Sequence, residues 1–282
     1  MKKSFYCLSA AMLTLAIASG CGNRGTETSA STDAAITNFQ VKEMVKTADK
    51  NYRLVTDYDT VYLDIYTSIH WPEQFGNADL TNLKDSLLLY AFGDTSKVAI
   101  DRAIASYLDD LSIIEGVKEA EAVDSLPSDA DRTQAYFSNV VASVVDLDEE
   151  MVTYQVLTST FLGGAHPMTG IHPFTYDLRS GEVLNIENMF KPEARDSIMP
   201  VIINALARQL DADPMNLDKA GIFTSQLTYP GQPYIANNTL YFHYNPYDIA
   251  PYSSGMIDVA VYPYEVSSML KPEVSSLFDM GY

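Results

Sequence analysis

The residues best able to do chemistry gather in one stretch, TFLGGAHPMTGIHPFTYDLRSGEV, from Thr160 to Val183. His166 and His172 stand six residues apart, and His243 could join them from a later strand. Three imidazoles with an acid would suit a hydrolytic zinc site. The spacing, however, is neither a helical i,i+4 pair nor an HExxH. Asp177 falls five residues after His172, which puts it on the opposite face of a continuous strand. Pro167 and Pro173 each follow a histidine and bias both toward extended backbone. The expectation is therefore no metal and no cofactor.

Nucleophilic catalysis fits less well. No G-x-S-x-G stands on a strand-to-helix elbow, and the only cysteines are Cys7 and Cys21. The GGAH run lacks the following helix that a phosphate-cradling loop needs. A carboxylate pair for glycoside cleavage could sit among the 37 acids, but no spacing picks one out. A metal- or carboxylate-dependent envelope hydrolase is the alternative; a tight strand connection made by Gly163 and Gly164 is the better reading. The chain then reads as a binder, not an enzyme.

The elements that would hold this loop follow from periodicity. FQVKEMVK and TVYLDIYTSIHW alternate as strands. Leu80, Leu83, Leu87 and Tyr90 recur at helical spacing and Gly93 stops that helix; Val98, Ile100, Ile104, Tyr107 and Leu111 mark a second. The acidic stretch Lys118 to Arg132, with Pro127, reads as a linker. AYFSNVVASVVDL, EEMVTYQVLTSTFLGG and HPFTYDL read as three strands, with RSGE turning into a fourth, VLNI. A helix follows from about Glu193 to Leu210, with Pro200 breaking or starting it. The rest reads as a hairpin across Asn237-Asn238, a Pro/Tyr loop, a strand from Met256 to Val261 and a short terminal helix. Neighbouring strands with helices in blocks give an α+β class: antiparallel sheet packed with helices, in two tandem α/β subdomains. The expected organisation is 1–20 signal peptide, 21–36 tether, 37–132 smaller domain and 133–282 C-terminal domain.

The first residues, MKKSFYCLSAAMLTLAIASGC, have a basic start and an apolar core too short to span a membrane, so they read as a secretory signal. Ala18-Ser19-Gly20-Cys21 resembles a bacterial lipobox, although an aliphatic residue is usual where Ala18 stands. That resemblance implies lipidation at Cys21 and an exported, lipid-anchored protein, in the outer or cell membrane, facing the periplasm or the surface. The other reading is an ordinary signal cut near Gly20. GNRGTETSASTDAA then reads as a flexible tether. The chain has 18 basic and 37 acidic residues, net −19; without residues 1–20, which hold two lysines and no acids, the net is −21. That balance excludes nucleic acid as a partner and leans toward a cationic protein, whose encounter it would steer.

Two longer stretches carry a further likeness: LGGAHPMTGIHPFTYDLRSGEVLNIENMF (Leu162 to Phe190) and LYFHYNPYDIAPYSSGMIDVAVYPYEV (Leu240 to Val266). Together they resemble the C-terminal domain of the RsiV-like family, in which a GGAH loop, a Y-D-L-x-x-G-E hairpin and a P-Y-x-I-A-P-Y-x-x-G loop recur. The matching positions are Gly163, Gly164, Ala165 and His166; Tyr176, Asp177, Leu178, Gly181 and Glu182; and Pro246, Tyr247, Ile249, Ala250, Pro251, Tyr252 and Gly255. The family includes a lysozyme-sensing anti-sigma factor and accessory domains of peptidoglycan deacetylases. The resemblance implies a stand-alone envelope lipoprotein that binds lysozyme-like muramidases or peptidoglycan. Read from the residues alone, the matching positions are mostly architectural, the glycines permitting turns and the prolines holding irregular backbone extended, and His166, Tyr247 and Tyr252 could also converge as an aromatic binding surface. The chain carries neither a sigma-binding segment nor a deacetylase catalytic domain, so neither activity is implied.

Overall fold

The first strand, β1 (Val41–Val55), is exposed at its start and buries Tyr52 and Leu54 near its end, then turns back at once into β2 (Thr60–Phe75). These and all later elements come from a computed structural model that describes residues 39–127 and 135–279. The expected signal, the expected tether and Cys21 lie outside the described residues. In β2, Val61, Leu63, Ile65 and Ile69 all point to one face and are buried, as a period of two requires.

Two helices cover that face. The first, α1 (Thr81–Phe92), buries Leu83, Leu87, Leu88 and Ala91; its last turn closes on Gly93 at φ +66, where the Gly93 N–H reaches the carbonyls of Leu88 and Leu89. The second, α2 (Ile100–Asp109), buries Ile100, Ala103 and Ile104. The chain then forms β3 (Glu119–Val123), which pairs antiparallel with Asn51–Val55 of β1. This corrects the expected linker. Its glutamates make the segment look solvated, but the alternation E-A-E-A-V lets it complete the edge of β1. The remainder of the expected linker, 128–134, lies outside the described residues.

Next come β4 (Ala135–Leu147), β5 (Met151–Phe161), β6 (Met168–Asp177) and the two-residue β7 (Glu182–Val183). The seven strands form one sheet in the order β3-β1-β2-β4-β5-β6-β7. All pairings are antiparallel except β2 with β4, which are parallel because α1, α2 and β3 intervene as a crossover. Strands on either side of the expected 132/133 boundary thus pair directly, and the described residues belong to one compact unit. The two segments share one sheet.

VLNI contributes little strand, because Asn185 caps a short helix, α3 (Ile186–Met189), by accepting from the N–H groups of Glu187 and Asn188. The helix expected from Glu193 divides into a 3-10 turn, Pro192–Ser197, and α4 (Ile198–Leu210), with Pro200 in the first turn. A second sheet holds β8 (Gln232–Ala236), β9 (Thr239–Tyr244) and β10 (Ile257–Val261), in the order β10-β9-β8. Asn237 and Asn238 form the two-residue turn between β8 and β9, at φ +48 and +56. The short helices α5 (Pro263–Val266) and α6 (Pro272–Ser275) complete the chain's described part. Among the described residues no helix is long and apolar enough to cross a membrane.

The second sheet sits against β6, and buried hydroxyls join the two. The Ile235 N–H donates to Thr175 Oγ1 (2.7 Å), the two threonine hydroxyls lie 2.7 Å apart, and Thr153 Oγ1 donates to the Ile235 carbonyl (2.5 Å). Both threonines are fully buried, so each hydroxyl must both accept and donate within this ring of bonds.

Candidate functional site

Gly163 and Gly164 take φ of +91 and +105, backbone that side chains resist, and so turn the chain from β5 toward β6. A Cβ on Gly163 would also press to 3.2 Å from the Tyr136 hydroxyl. The turn delivers His166, half-buried, with Nδ1 2.9 Å from the Pro167 carbonyl. That contact makes Nδ1 the protonated nitrogen and leaves Nε2 as an acceptor.

The second loop, Asn245 to Gly255, supplies the other rings. Ile249 and Ala250 plug it into the core beneath α4. Asn245 clamps it to the large sheet: Ile171 N–H donates to Asn245 Oδ1 (2.7 Å), and Asn245 Nδ2 donates to the Ile171 carbonyl (3.0 Å). The side-chain amide thereby takes the place of a neighbouring strand at the outer edge of β6. His243, almost wholly buried, holds that amide from behind, with Nε2 3.2 Å from Asn245 Oδ1 and Nδ1 2.8 Å from Asp258 Oδ1.

So positioned, the loops bring His166, Tyr247 and Tyr252 together. The His166 and Tyr252 rings stack at 3.8 Å and 21°. Tyr252 donates its hydroxyl to the Pro167 carbonyl (2.8 Å). The Tyr247 ring lies 5.8 Å from that of Tyr252, with its hydroxyl 3.4 Å from His166 Nε2. Tyr247 is 48% exposed and stands at φ +73, a conformation that a bulky residue adopts only under constraint. Asp248 is turned inward, accepting from the Asn245 N–H (2.7 Å), so the exposed part of the site is rings and hydroxyls rather than charge.

The three histidines do not form a common centre. Among the described residues no group of three His, Cys, Asp or Glu is arranged to hold a metal ion. His243 has both nitrogens engaged, and His172 lies on the α1 side of the sheet, its ring 3.9 Å from that of Tyr90. Asp177 is tied to Arg179 through both carboxylate oxygens (3.0 and 2.9 Å) and anchors the RSGE turn. Burial would raise the Asp177 pKa, but the Arg179 guanidinium and the backbone N–H groups outweigh it and hold the carboxyl below its ordinary value. Sequence reasoning missed Asn245 and the His172 surroundings. An Asn-Pro pair reads as a turn, and its clamp needs a strand 74 residues away.

Burial, with a smaller contribution from His243, pushes the His172 pKa down from 6.5 to about 4. Below pH 6.5 the unfolded chain takes up a proton that the folded ring refuses until about pH 4. This contribution to stability is therefore whole above pH 6.5 and is lost as pH falls toward 4. Thermal unfolding between pH 7 and pH 4 should show a smaller fall in Tm for His172→Phe than for the unaltered chain; equal falls would contradict this.

A family model described as a protein of unknown function, DUF3298, matches residues 187–265 and so contains the Asn245–Gly255 loop but not the GGAH loop. The fold likeness extends further. A crystal structure of a DUF3298 family member from Bacteroides fragilis NCTC 9343 superposes with a TM-score of 0.63 at 16% identity, covering 83% of this chain and 95% of the other. A DUF3298 family protein from Pseudomonas aeruginosa PAO1 gives 0.55 at 17% identity, covering 84% and 96%. No curated protein matches the chain. The described residues thus have the fold seen in these two structures, and residues 187–265 match the DUF3298 model.

Proposed function

We propose that this chain is an exported binding module, lipid-anchored through Cys21, that takes cell-wall glycan on the surface made by His166, Tyr247 and Tyr252. The observation that carries the reading is Tyr247. A tyrosine at φ +73 costs about 1–3 kcal/mol relative to relaxed backbone, a cost glycine would avoid, and half of the side chain is still left facing solvent. Strain of this kind gathers where a side chain must be presented. The presented surface has flat rings and hydroxyls, which suit the apolar face and hydroxyl rim of a sugar. Its acidic neighbours, Asp248 and Asp258, are occupied by internal hydrogen bonds.

Net charge supports a second reading, a cationic muramidase as ligand. A net of −19 over the whole chain would speed its encounter more than it would strengthen the complex.

The test uses the chain made without residues 1–20, so that Cys21 stays unlipidated. It should be retained by insoluble peptidoglycan at both low and physiological salt, and Tyr247→Ala should weaken retention about tenfold or more. Retention by lysozyme alone, falling steeply with salt, would replace glycan with the muramidase; retention by neither would remove the module reading. The anchor is tested separately: Cys21→Ala in the full chain should leave the membrane fraction, and unchanged partitioning would remove lipidation.

A further inference from the structure

Beside the ring surface lies a pocket of about 450 Å³, a volume within the range of small-ligand sites. Leu89 and Tyr90 of α1, Val156 and Thr158 of β5, and Gly170 and His172 of β6 line it. Asn245 closes one side, so the residue that fixes the ring-bearing loop also borders the pocket. A Cβ on Gly170 would stand 3.4 Å from Asn245 Oδ1 and 3.6 Å from Thr158 Oγ1; its absence leaves that wall free of a methyl group.

Three features define what would enter. First, the lining carries no formal charge at neutral pH. The His172 ring stays unprotonated down to about pH 4, and burial raises the Tyr90 hydroxyl above its ordinary pKa. An ion would lose its hydration there without a counter-charge. Second, the walls alternate in kind. Leu89, 42% exposed, and Val156 are apolar, Tyr90 and His172 are flat, and Thr158 offers an exposed hydroxyl. Third, His172 Nε2 is enclosed without a hydrogen-bond partner. A buried nitrogen left unpaired costs stability, and phenylalanine could fill the same space beside Tyr90 and Phe174 without that cost. An imidazole that weakens the fold where a phenyl ring would fit needs another reason to be there.

We propose that this pocket is a subsite for one uncharged sugar ring of a glycan strand, continuous through Asn245 with the surface of His166, Tyr247 and Tyr252. The ring's apolar face packs on Leu89, above the buried Val156 at the pocket floor, while its hydroxyl and amide substituents meet Thr158, Tyr90 and the His172 edge. The sugar identity rests on the glycan reading; the pocket's shape and neutrality do not.

The experiment is calorimetric titration of the chain lacking residues 1–20 with β-1,4-linked N-acetylglucosamine oligomers of two to six units, with Tm recorded for each variant. His172→Phe should lower affinity at least tenfold with Tm unchanged or raised, and Thr158→Val, an exposed substitution, should lower it several-fold. A histidine kept only for packing would do the reverse, losing Tm and keeping affinity. Wild-type affinity in both variants, with Tyr247→Ala weakened, would overturn the subsite and leave the ring surface in place. Loss in the pocket variants alone would support the subsite and remove the ring surface. No binding of any oligomer by the unaltered chain would overturn both. Should His172→Phe fail to fold, Thr158→Val decides.

Discussion

Everything at the site depends on how the second sheet is held against β6. Two sets of polar contacts do this at β6: the bonded ring of Thr153, Thr175 and the Ile235 backbone, and the Asn245 clamp on Ile171. A buried hydrogen bond contributes modestly when made and costs far more when one partner is stranded. Such contacts therefore fix a register more than they add stability. The outer edge of β6 is managed residue by residue. Ile171 is served by Asn245, Pro173 has no N–H to offer at the next outward position, and the Thr175 carbonyl accepts from Leu184 N–H.

That register decides where the rings go. Asn245 opens the loop that carries Tyr247 and Tyr252, and Ile171 lies five residues beyond His166 on the strand that the GGAH turn begins. Fixing Asn245 to Ile171 therefore sets the second loop against the first, and Ile249 and Ala250 keep it from lifting. His166 stacks on Tyr252 as a consequence of the sheet contact. A surface assembled in this way is ordered before any ligand arrives, which lowers the entropy cost of binding. The same clamp borders the pocket at His172, so one side chain shapes both regions.

Much of this was legible in the sequence where the cause is local. The leucines of α1, its Gly93 stop and the Asn237-Asn238 turn follow from periodicity and backbone preference. A meeting of His166 with the two tyrosines was one of two readings of these loops, the other being purely architectural. What escaped was non-local. β3 is a strand only because β1 offers it a partner. No local pattern announces the parallel junction of β2 with β4, whose residues are 73 positions apart. The Tyr90–His172 contact joins α1 to a strand some 80 positions later, which periodicity within either element cannot convey.

The central claim is that the inter-sheet clamp and the ring-bearing loop form one cooperative unit. Native-state amide hydrogen exchange tests it most directly, since each amide reports the free energy of the opening that exposes it. The amides of Ile171, Ile235, Tyr247 and Asp248 donate to Asn245, Thr175, Ala250 and Asn245 respectively, so all four belong to the unit. The account predicts that Ile171 and Ile235 exchange only with global unfolding, at the free energy of core amides such as that of Val156, and that Tyr247 and Asp248 stay protected in the free protein. Fast, independent exchange of Ile171 and the loop while Val156 remains protected would contradict it.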